Sequence, residues 1–83
     1  MKVKVKLFAL LDKYLPPGAK DNQAEIEVAD GATAATIISQ LNLPQELCHL
    51  VLVNGSYLQP GERESRPLTS EDVLAIWPPI AGG

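Results

Sequence analysis

The chain has 83 residues, of which 46% are hydrophobic, and this length and composition are typical of one small globular domain. Seven basic and ten acidic residues leave a net charge of −3, which does not favour nucleic-acid binding, and no apolar run approaches the roughly 20 residues of a membrane-spanning helix. The single cysteine, Cys48, rules out an internal disulfide and argues against a metal site held by cysteines, and no signal peptide is visible, so we expect a cytoplasmic protein without a metal.

The first part of the chain predicts two strands that form a hairpin. Residues 2–8 alternate lysine with apolar residues, as in a half-buried strand, and Phe8 is the exception on the lysine face. A short helix is expected over residues 10–15, where Pro16-Pro17-Gly18 ends it. Residues 24–28 alternate apolar residues with glutamate and predict a second strand. We expect the two strands to be antiparallel, because the lysine face then meets the glutamate face.

The main helix is predicted to begin after Thr33, whose hydroxyl is a plausible N-cap. Apolar residues then recur with helical spacing and form one face: Ala34, Ile37, Ile38 and Leu41. If Leu41 is buried on this face, the substitution Leu41→Ala costs roughly 2–5 kcal/mol. Pro44 lies just beyond the expected end of the helix.

The second part of the chain begins with Cys48 and His49. A lone cysteine before an apolar run is more typical of a buried hydrophobe than of a nucleophile, and no third group that would orient a Cys–His pair is indicated. Asn54-Gly55 predicts a tight hairpin turn, because a type I′ turn needs positive φ at both positions. The flanking segments are predicted as a third strand, a short return strand, a polar loop and a last strand: residues 50–53, 56–58, 59–67 and 73–77.

This order of elements predicts an α+β fold in which one main helix covers one apolar face of a sheet. The first and last strands alternate best, and pairing them as parallel neighbours at the centre gives a β-grasp with a mixed sheet of four to five strands. We expect residues 1–79 to form this domain and residues 80–83 to form a flexible tail. The predicted core consists of Val3, Val5, Leu7, Ile26, Val28, Ile37, Ile38, Leu41, Leu74 and Ile76.

The end of the chain passes from a strand through two prolines to two glycines: Trp77, Pro78, Pro79, Ile80, Ala81, Gly82 and Gly83. Proline ends strand pairing and stiffens the exit, whereas glycine, without a Cβ, is thin and conformationally free. One interpretation is a frayed terminus. The other is that the carboxylate of Gly83 is the reactive group and that Gly82 and Gly83 let it enter a narrow site on a partner.

Three aromatic residues are expected near the root of this tail. Phe8 and Trp77 both point to the open face of the sheet, and Tyr57 is in a position to join them. Because aromatic residues are favoured at interface centres, the cluster predicts a partner-docking patch. The alternative is that the rings pack on each other as a minor cluster.

These residues together resemble the MoaD/ThiS family of ubiquitin-like sulfur carriers, and within it the small subunit of molybdopterin synthase. The resemblance spans nearly the whole chain and includes Leu7-Phe8-Ala9, the segment 28–41, Val53-Asn54-Gly55 and the segment 68–76. Its most specific part is the segment 77–83, which is similar to the family's terminal Phe-Pro-Pro-Val-x-Gly-Gly, with tryptophan in place of the phenylalanine.

The resemblance implies a two-stage sulfur cycle at Gly83. An E1-like adenylyltransferase of the MoeB kind uses ATP to adenylate the carboxylate, and sulfur from a persulfide then replaces AMP to give a C-terminal thiocarboxylate. With the large synthase subunit, of the MoaE kind, this sulfur goes to the cyclic pyranopterin precursor of the molybdenum cofactor. The chain is then no enzyme on its own and binds no cofactor, and its expected partner contacts are Phe8, Tyr57, Trp77, Pro78, Pro79, Ile80 and Ala81.

Other functions stay open on the sequence. The chain is alternatively a sibling carrier for thiamin thiazole, cysteine or tungsten-enzyme maturation, although the Pro-Pro pair and the length count against the thiazole pathway. It is otherwise a protein modifier joined to lysines through Gly83, or a plain interaction domain with an inert tail.

Overall fold

A computed structural model describes residues 1–79 of the chain, and the expectations for residues 80–83 lie outside this part. Within residues 1–79 the chain forms five strands and two α-helices, in this order: β1 Lys2–Leu7, β2 Gln23–Glu27, α1 Ala34–Gln40, β3 Leu50–Val53, β4 Ser56–Tyr57, α2 Glu62–Ser65 and β5 Val73–Trp77. Two short 3-10 helices, Ala9–Tyr14 and Gln45–Leu47, lie in the connections. Within this part of the chain, no helix is both long and apolar enough to span a membrane.

The five strands form one mixed sheet in the order β2-β1-β5-β3-β4. β1 and β5 are parallel neighbours at its centre, and β1 also pairs with β2 in the predicted antiparallel hairpin. The lysine and glutamate faces meet as expected, because Lys2 lies opposite Glu27 and Lys4 opposite Glu25. Neither pair closes into a direct ion pair. With α1 on the other face, this is the ubiquitin-like β-grasp that the order of elements predicted.

The start of α1 confirms the prediction, whereas the helix ends before Leu41, which was predicted to lie on its apolar face. The Thr33 hydroxyl accepts the Thr36 N–H at 3.3 Å, and the Thr33 N–H donates to the Thr36 hydroxyl at 3.2 Å, which forms a capping box. Leu41 is the C-cap residue rather than part of the last turn, and it is only half-buried. The stability cost expected for Leu41→Ala is therefore below the range expected for a fully buried leucine.

The predicted loop 59–67 contains the one-turn helix α2, which the sequence analysis missed. The Glu62 carboxylate accepts the Gln59 N–H at 2.9 Å and so satisfies a donor at the start of this turn. The Arg63 guanidinium donates from Nη1 to the Cys48 carbonyl at 3.0 Å and from Nη2 to the His49 carbonyl at 3.4 Å. These long-range bonds hold a polar segment whose composition alone does not predict a helix.

The core lies between the sheet and α1, and every predicted core residue except Leu41 is buried. The prediction was incomplete, because connecting segments, β3 and the first residue of α1 also contribute side chains. The additional buried residues are Leu11, Ala32, Ala34, Leu43, Cys48, Val51, Val53, Leu58 and Leu68. The loops are thus fixed by apolar anchors as well as by hydrogen bonds.

A buried carboxylate ties the β3–β4 turn to the start of β5. Asp72 accepts the Asn54 Nδ2–H at 2.8 Å and the Thr69 N–H at 2.9 Å, and Arg66 lies 3.5 Å away as an ion pair. Asn54 in turn accepts the Val73 N–H at 2.9 Å. The backbone hydrogen bond from Thr69 and, to a smaller extent, the hydrogen bond from Asn54 and the charge of Arg66 lower the pKa of Asp72 below its ordinary value of 3.8.

We expect Asp72→Asn to lower the free energy of unfolding by about 1–3 kcal/mol at neutral pH, because it removes a charged acceptor from buried donors. A depressed pKa stabilises the folded state above pH 3.8, and this contribution is lost as the pH falls through the folded pKa. Urea unfolding curves of the wild type and the variant should therefore converge in acid. The exposed neighbour provides the control Glu71→Gln, and a loss of equal size there would contradict the prediction.

Candidate functional site

The candidate site lies on the open face of the sheet, where β5 ends. Phe8 directly follows β1, and Trp77 is the last residue of the parallel strand β5. Their rings stack with centroids 3.8 Å apart and planes 5° from parallel. Trp77 nevertheless remains 40% exposed. The rings therefore pack on each other, as one interpretation expected, and also present an aromatic surface, as the other required.

The backbone around Trp77 is held from both sides. The Phe8 N–H donates to the Ile76 carbonyl at 3.2 Å, and the His49 N–H donates to the Trp77 carbonyl at 3.1 Å. Pro78 is buried, whereas Pro79 is exposed. The point from which the chain continues toward Gly83 is thus fixed relative to the sheet, and Gly83 and its three predecessors lie beyond the described residues.

Tyr57 lies on the same face but does not join the stacked pair. It is 47% exposed on β4 and faces Leu52 on β3, so one full strand separates it from β5. The sheet therefore brings Phe8 and Trp77 together and places Tyr57 at the far edge of the same face.

An apolar groove runs along β5 beside the stacked rings. Its volume is about 380 Å³, and its lining residues are Lys6, Phe8, Leu52, Asn54, Gly55, Val73, Ala75 and Trp77. Most of these residues were not predicted as site residues. The alternation of β3 and β5 predicted which residues of each strand face outward. It did not predict which strand would lie beside each of them.

Cys48 and His49 have different surroundings although they are adjacent. The Cys48 side chain is buried in the core, its Sγ lies 3.5 Å from the Pro44 carbonyl oxygen, and burial raises the pKa of its thiol. His49 is exposed, and its backbone is bonded to Trp77 and Arg63. The prediction that Cys48 packs as a hydrophobe is confirmed. Among residues 1–79, no group of three or more potential metal-ligating side chains is present.

Comparisons with known proteins identify the family and the fold. The family model of the ThiS family matches residues 5–83, whereas no curated protein matches the sequence significantly. The solution structure of the HVO 2177 protein of Haloferax volcanii is similar, with a TM-score of 0.76, 23% identity and coverage of 100% of this chain and 87% of that one. The SAMP1 crystal structure from the same organism has a TM-score of 0.67, 22% identity and full coverage of both chains.

A third similar structure comes from a complex of two proteins. It is the complex of subunits 1 and 2 of the molybdopterin-converting factor from Helicobacter pylori, with a TM-score of 0.61, 19% identity and full coverage of both chains. At these identities the solved structures support the β-grasp fold, while the family match covers nearly the entire sequence. The chain belongs to the ThiS family, and its fold is that of the ubiquitin-like sulfur carriers.

Proposed function

We propose that this chain is the sulfur-carrying small subunit of a molybdopterin synthase. The carboxylate of Gly83 is adenylated and converted to a thiocarboxylate, and this group donates sulfur to the pyranopterin precursor of the molybdenum cofactor. The proposal rests on the ThiS family match through residue 83. It is further supported by the similarity to the molybdopterin-converting factor complex, in which a chain of this fold is found with a second subunit.

The observation that carries the proposal is the fixed exit of the chain from the centre of the sheet. Trp77 ends the central strand β5, is stacked on Phe8 and is bonded to His49. Pro78 and Pro79 follow directly, and proline restricts the backbone at both positions. A partner that recognises the open face can therefore locate the start of the reactive segment, which is what delivery of a C-terminal group requires.

The division of labour follows from the chemistry of a carboxylate. A carboxylate is a poor electrophile, so sulfur cannot replace one of its oxygens until an activated acyl intermediate has formed. Adenylation forms an acyl–phosphate bond at Gly83 and releases pyrophosphate. Attack by the terminal sulfur of a persulfide then releases AMP and forms an acyl disulfide, and a thiol cleaves its S–S bond, leaving the thiocarboxylate and a disulfide on the sulfur donor. We propose that an E1-like adenylyltransferase and the large synthase subunit supply the acid–base groups and the anion-stabilising donors for these steps.

A second candidate is a carrier for another sulfur acceptor, because the family that matches is named for ThiS. Thiamin thiazole, cysteine and tungsten-enzyme maturation would all use the same thiocarboxylate at Gly83. Sulfur transfer from the loaded chain to the pyranopterin precursor, with the large subunit present, separates these pathways. Transfer supports the proposed function, and its absence with a competent large subunit would assign the chain to another acceptor.

The carrier chemistry itself is tested by intact mass spectrometry. Incubation with the E1-like adenylyltransferase, ATP and a sulfide source should increase the mass of the chain by about 16 Da, the difference between oxygen and sulfur, with the change at Gly83. No increase with an adenylyltransferase that is active on its own carrier would exclude both carrier functions. Adducts linked to lysines through an isopeptide bond would instead indicate a protein modifier.

We expect Trp77→Glu to weaken binding to the large subunit roughly 30-fold or more, because it places a charge where an aromatic residue is stacked and exposed. Trp77→Phe keeps an aromatic ring opposite Phe8 and serves as the control, with affinity within a few-fold of the wild type. Titration calorimetry measures both. Equal affinity for the wild type and Trp77→Glu would remove the aromatic pair from the interface.

A further inference from the structure

The open face of the sheet is divided into a charged half and an apolar half. On β1 and β2, the outward side chains are lysines, glutamates and one glutamine, whereas β5 and β3 present apolar side chains toward solvent. Lys6 lies at the boundary, because it faces Gln23 on β2 and Ala75 on β5. It is half-buried and lines the apolar groove beside Phe8 and Trp77.

Lys6 differs from the other two lysines of β1 in its cross-strand neighbours. Lys2 has Glu27 opposite it and Lys4 has Glu25 opposite it, so a negative charge faces each of them in register. The residues that face Lys6 are uncharged, and among residues 1–79 it forms no direct ion pair. The groove therefore combines an apolar floor with one positive charge that the cross-strand register leaves uncompensated.

We propose that this groove docks a protein partner that inserts an apolar side chain between Trp77 and Val73 and places a carboxylate against the ammonium group of Lys6. The inference rests on the proposed function, because the partner tested is the E1-like adenylyltransferase. Lys6 is a specificity-determining residue in this account: the apolar floor favours association, and the charge selects partners that carry an acidic residue beside their apolar contact.

The charge has physical consequences that an apolar surface alone would not have. Lysines at apolar boundaries bury the aliphatic part of the side chain and keep the ammonium group in water, and Lys6 is half-buried in the lining of the groove. Docking of any partner removes the Lys6 cation from water. A partner that brings a carboxylate pairs this desolvated charge, whereas a partner without a carboxylate leaves it unpaired. Lys6 is only half-buried, so we expect salt to screen its pair with the partner's carboxylate and to weaken the contact.

The test measures ATP–pyrophosphate exchange by the adenylyltransferase as a function of carrier concentration. Lys6→Met keeps an unbranched side chain of similar length and removes the charged ammonium group, and we expect it to raise KM for the carrier roughly tenfold with little change in kcat. Lys4→Met is the matched control, because that lysine lies on the same strand and face but opposite Glu25. We expect its KM to stay within about twofold of the wild type.

A salt series provides a second readout. The ratio of the two KM values should shrink as ionic strength rises if a charge pair is responsible, whereas a packing defect would persist. Urea midpoints of both variants equal to the wild-type value would show that the fold is unchanged. Equal KM values for Lys6→Met and the wild type would overturn the inference and leave the proposed function intact, since the wild type would still be adenylated.

Two further outcomes are informative. A wild-type chain that supports no exchange would refute the proposed function together with this inference. Sedimentation of the free protein tests a different occupant, because a dimer that Lys6→Met dissociates would assign the groove to a second copy of the chain. That result would overturn the assignment to an acidic partner.

Discussion

Deletion of Gly83 is expected to lower ATP–pyrophosphate exchange by at least about 100-fold, because it moves the reacting carboxylate by one residue relative to the body of the protein. One residue spans about 3.3–3.6 Å, which is several times the misplacement that already impairs an oriented reaction. The sheet, α1 and the core that the structure describes all lie within residues 1–79, so we expect the deletion to leave the free energy of unfolding unchanged. Exchange kinetics and urea unfolding of the same preparation measure the two effects.

A matched glycine control is available within the described part of the chain. Gly61 has a φ of −68°, and a Cβ built there meets no atom within 4 Å, so Gly61→Ala introduces neither backbone strain nor a clash. Its exchange rate should equal that of the wild type. Normal exchange by the chain that lacks Gly83 would refute the proposed role of its carboxylate, even if the protein retained the β-grasp fold.

The features of the fold that depend on local pattern were predictable. The period-two alternation of β1 and β5 identified the two central strands, and Thr33 marked the start of α1. Asn54 and Gly55 have φ values of 53° and 83°, as the predicted tight turn requires. In each case the residues that determine the structure are adjacent or nearly adjacent in the sequence.

The features that depend on distant partners were not predictable to the same extent. The single turn of α2 is polar, and bonds from Arg63 to carbonyl groups fourteen and fifteen residues earlier hold it in place. Leu41 continues the apolar helical spacing, yet the helix ends before it. Helical periodicity describes which face a residue would occupy but not where tertiary contacts stop the helix.

The candidate site was predicted in part for the same reason. Alternation placed Phe8 and Trp77 on the open face, and the parallel pairing of β1 and β5 brings them into a stack. Tyr57 has the correct face but lies beyond β3, because the strand order places β3 between β5 and β4. The groove and its lysine follow from strand order and register together, which no single segment of the sequence specifies.

Leu74→Ala is expected to cause a large loss of stability, about 2–5 kcal/mol. Leu74 is fully buried on the central strand β5, with Val5 opposite it on β1 and Val53 opposite it on β3. Removing its side chain leaves a cavity with packed strands on both sides, so the neighbours have little freedom to collapse into it. Stability of about 0.05–0.15 kcal/mol per residue makes this loss a large share of the total for a domain of this size.

A second leucine of the sheet serves as a control that distinguishes the effect of burial on stability from the effect of strand propensity. Leu50 begins β3, lies opposite Trp77 and is 36% exposed on the open face. Leu50→Ala removes the same atoms from a strand, so a cost set by propensity would be similar at both positions, whereas a cost set by burial would be about 1 kcal/mol or less at Leu50. Urea midpoints that fall equally in the two variants would contradict the placement of the core on the α1 side of the sheet. A large loss confined to Leu74→Ala would support this placement of the core. It would show that stability depends on packing against the α1 face, so that the open face remains available to partners.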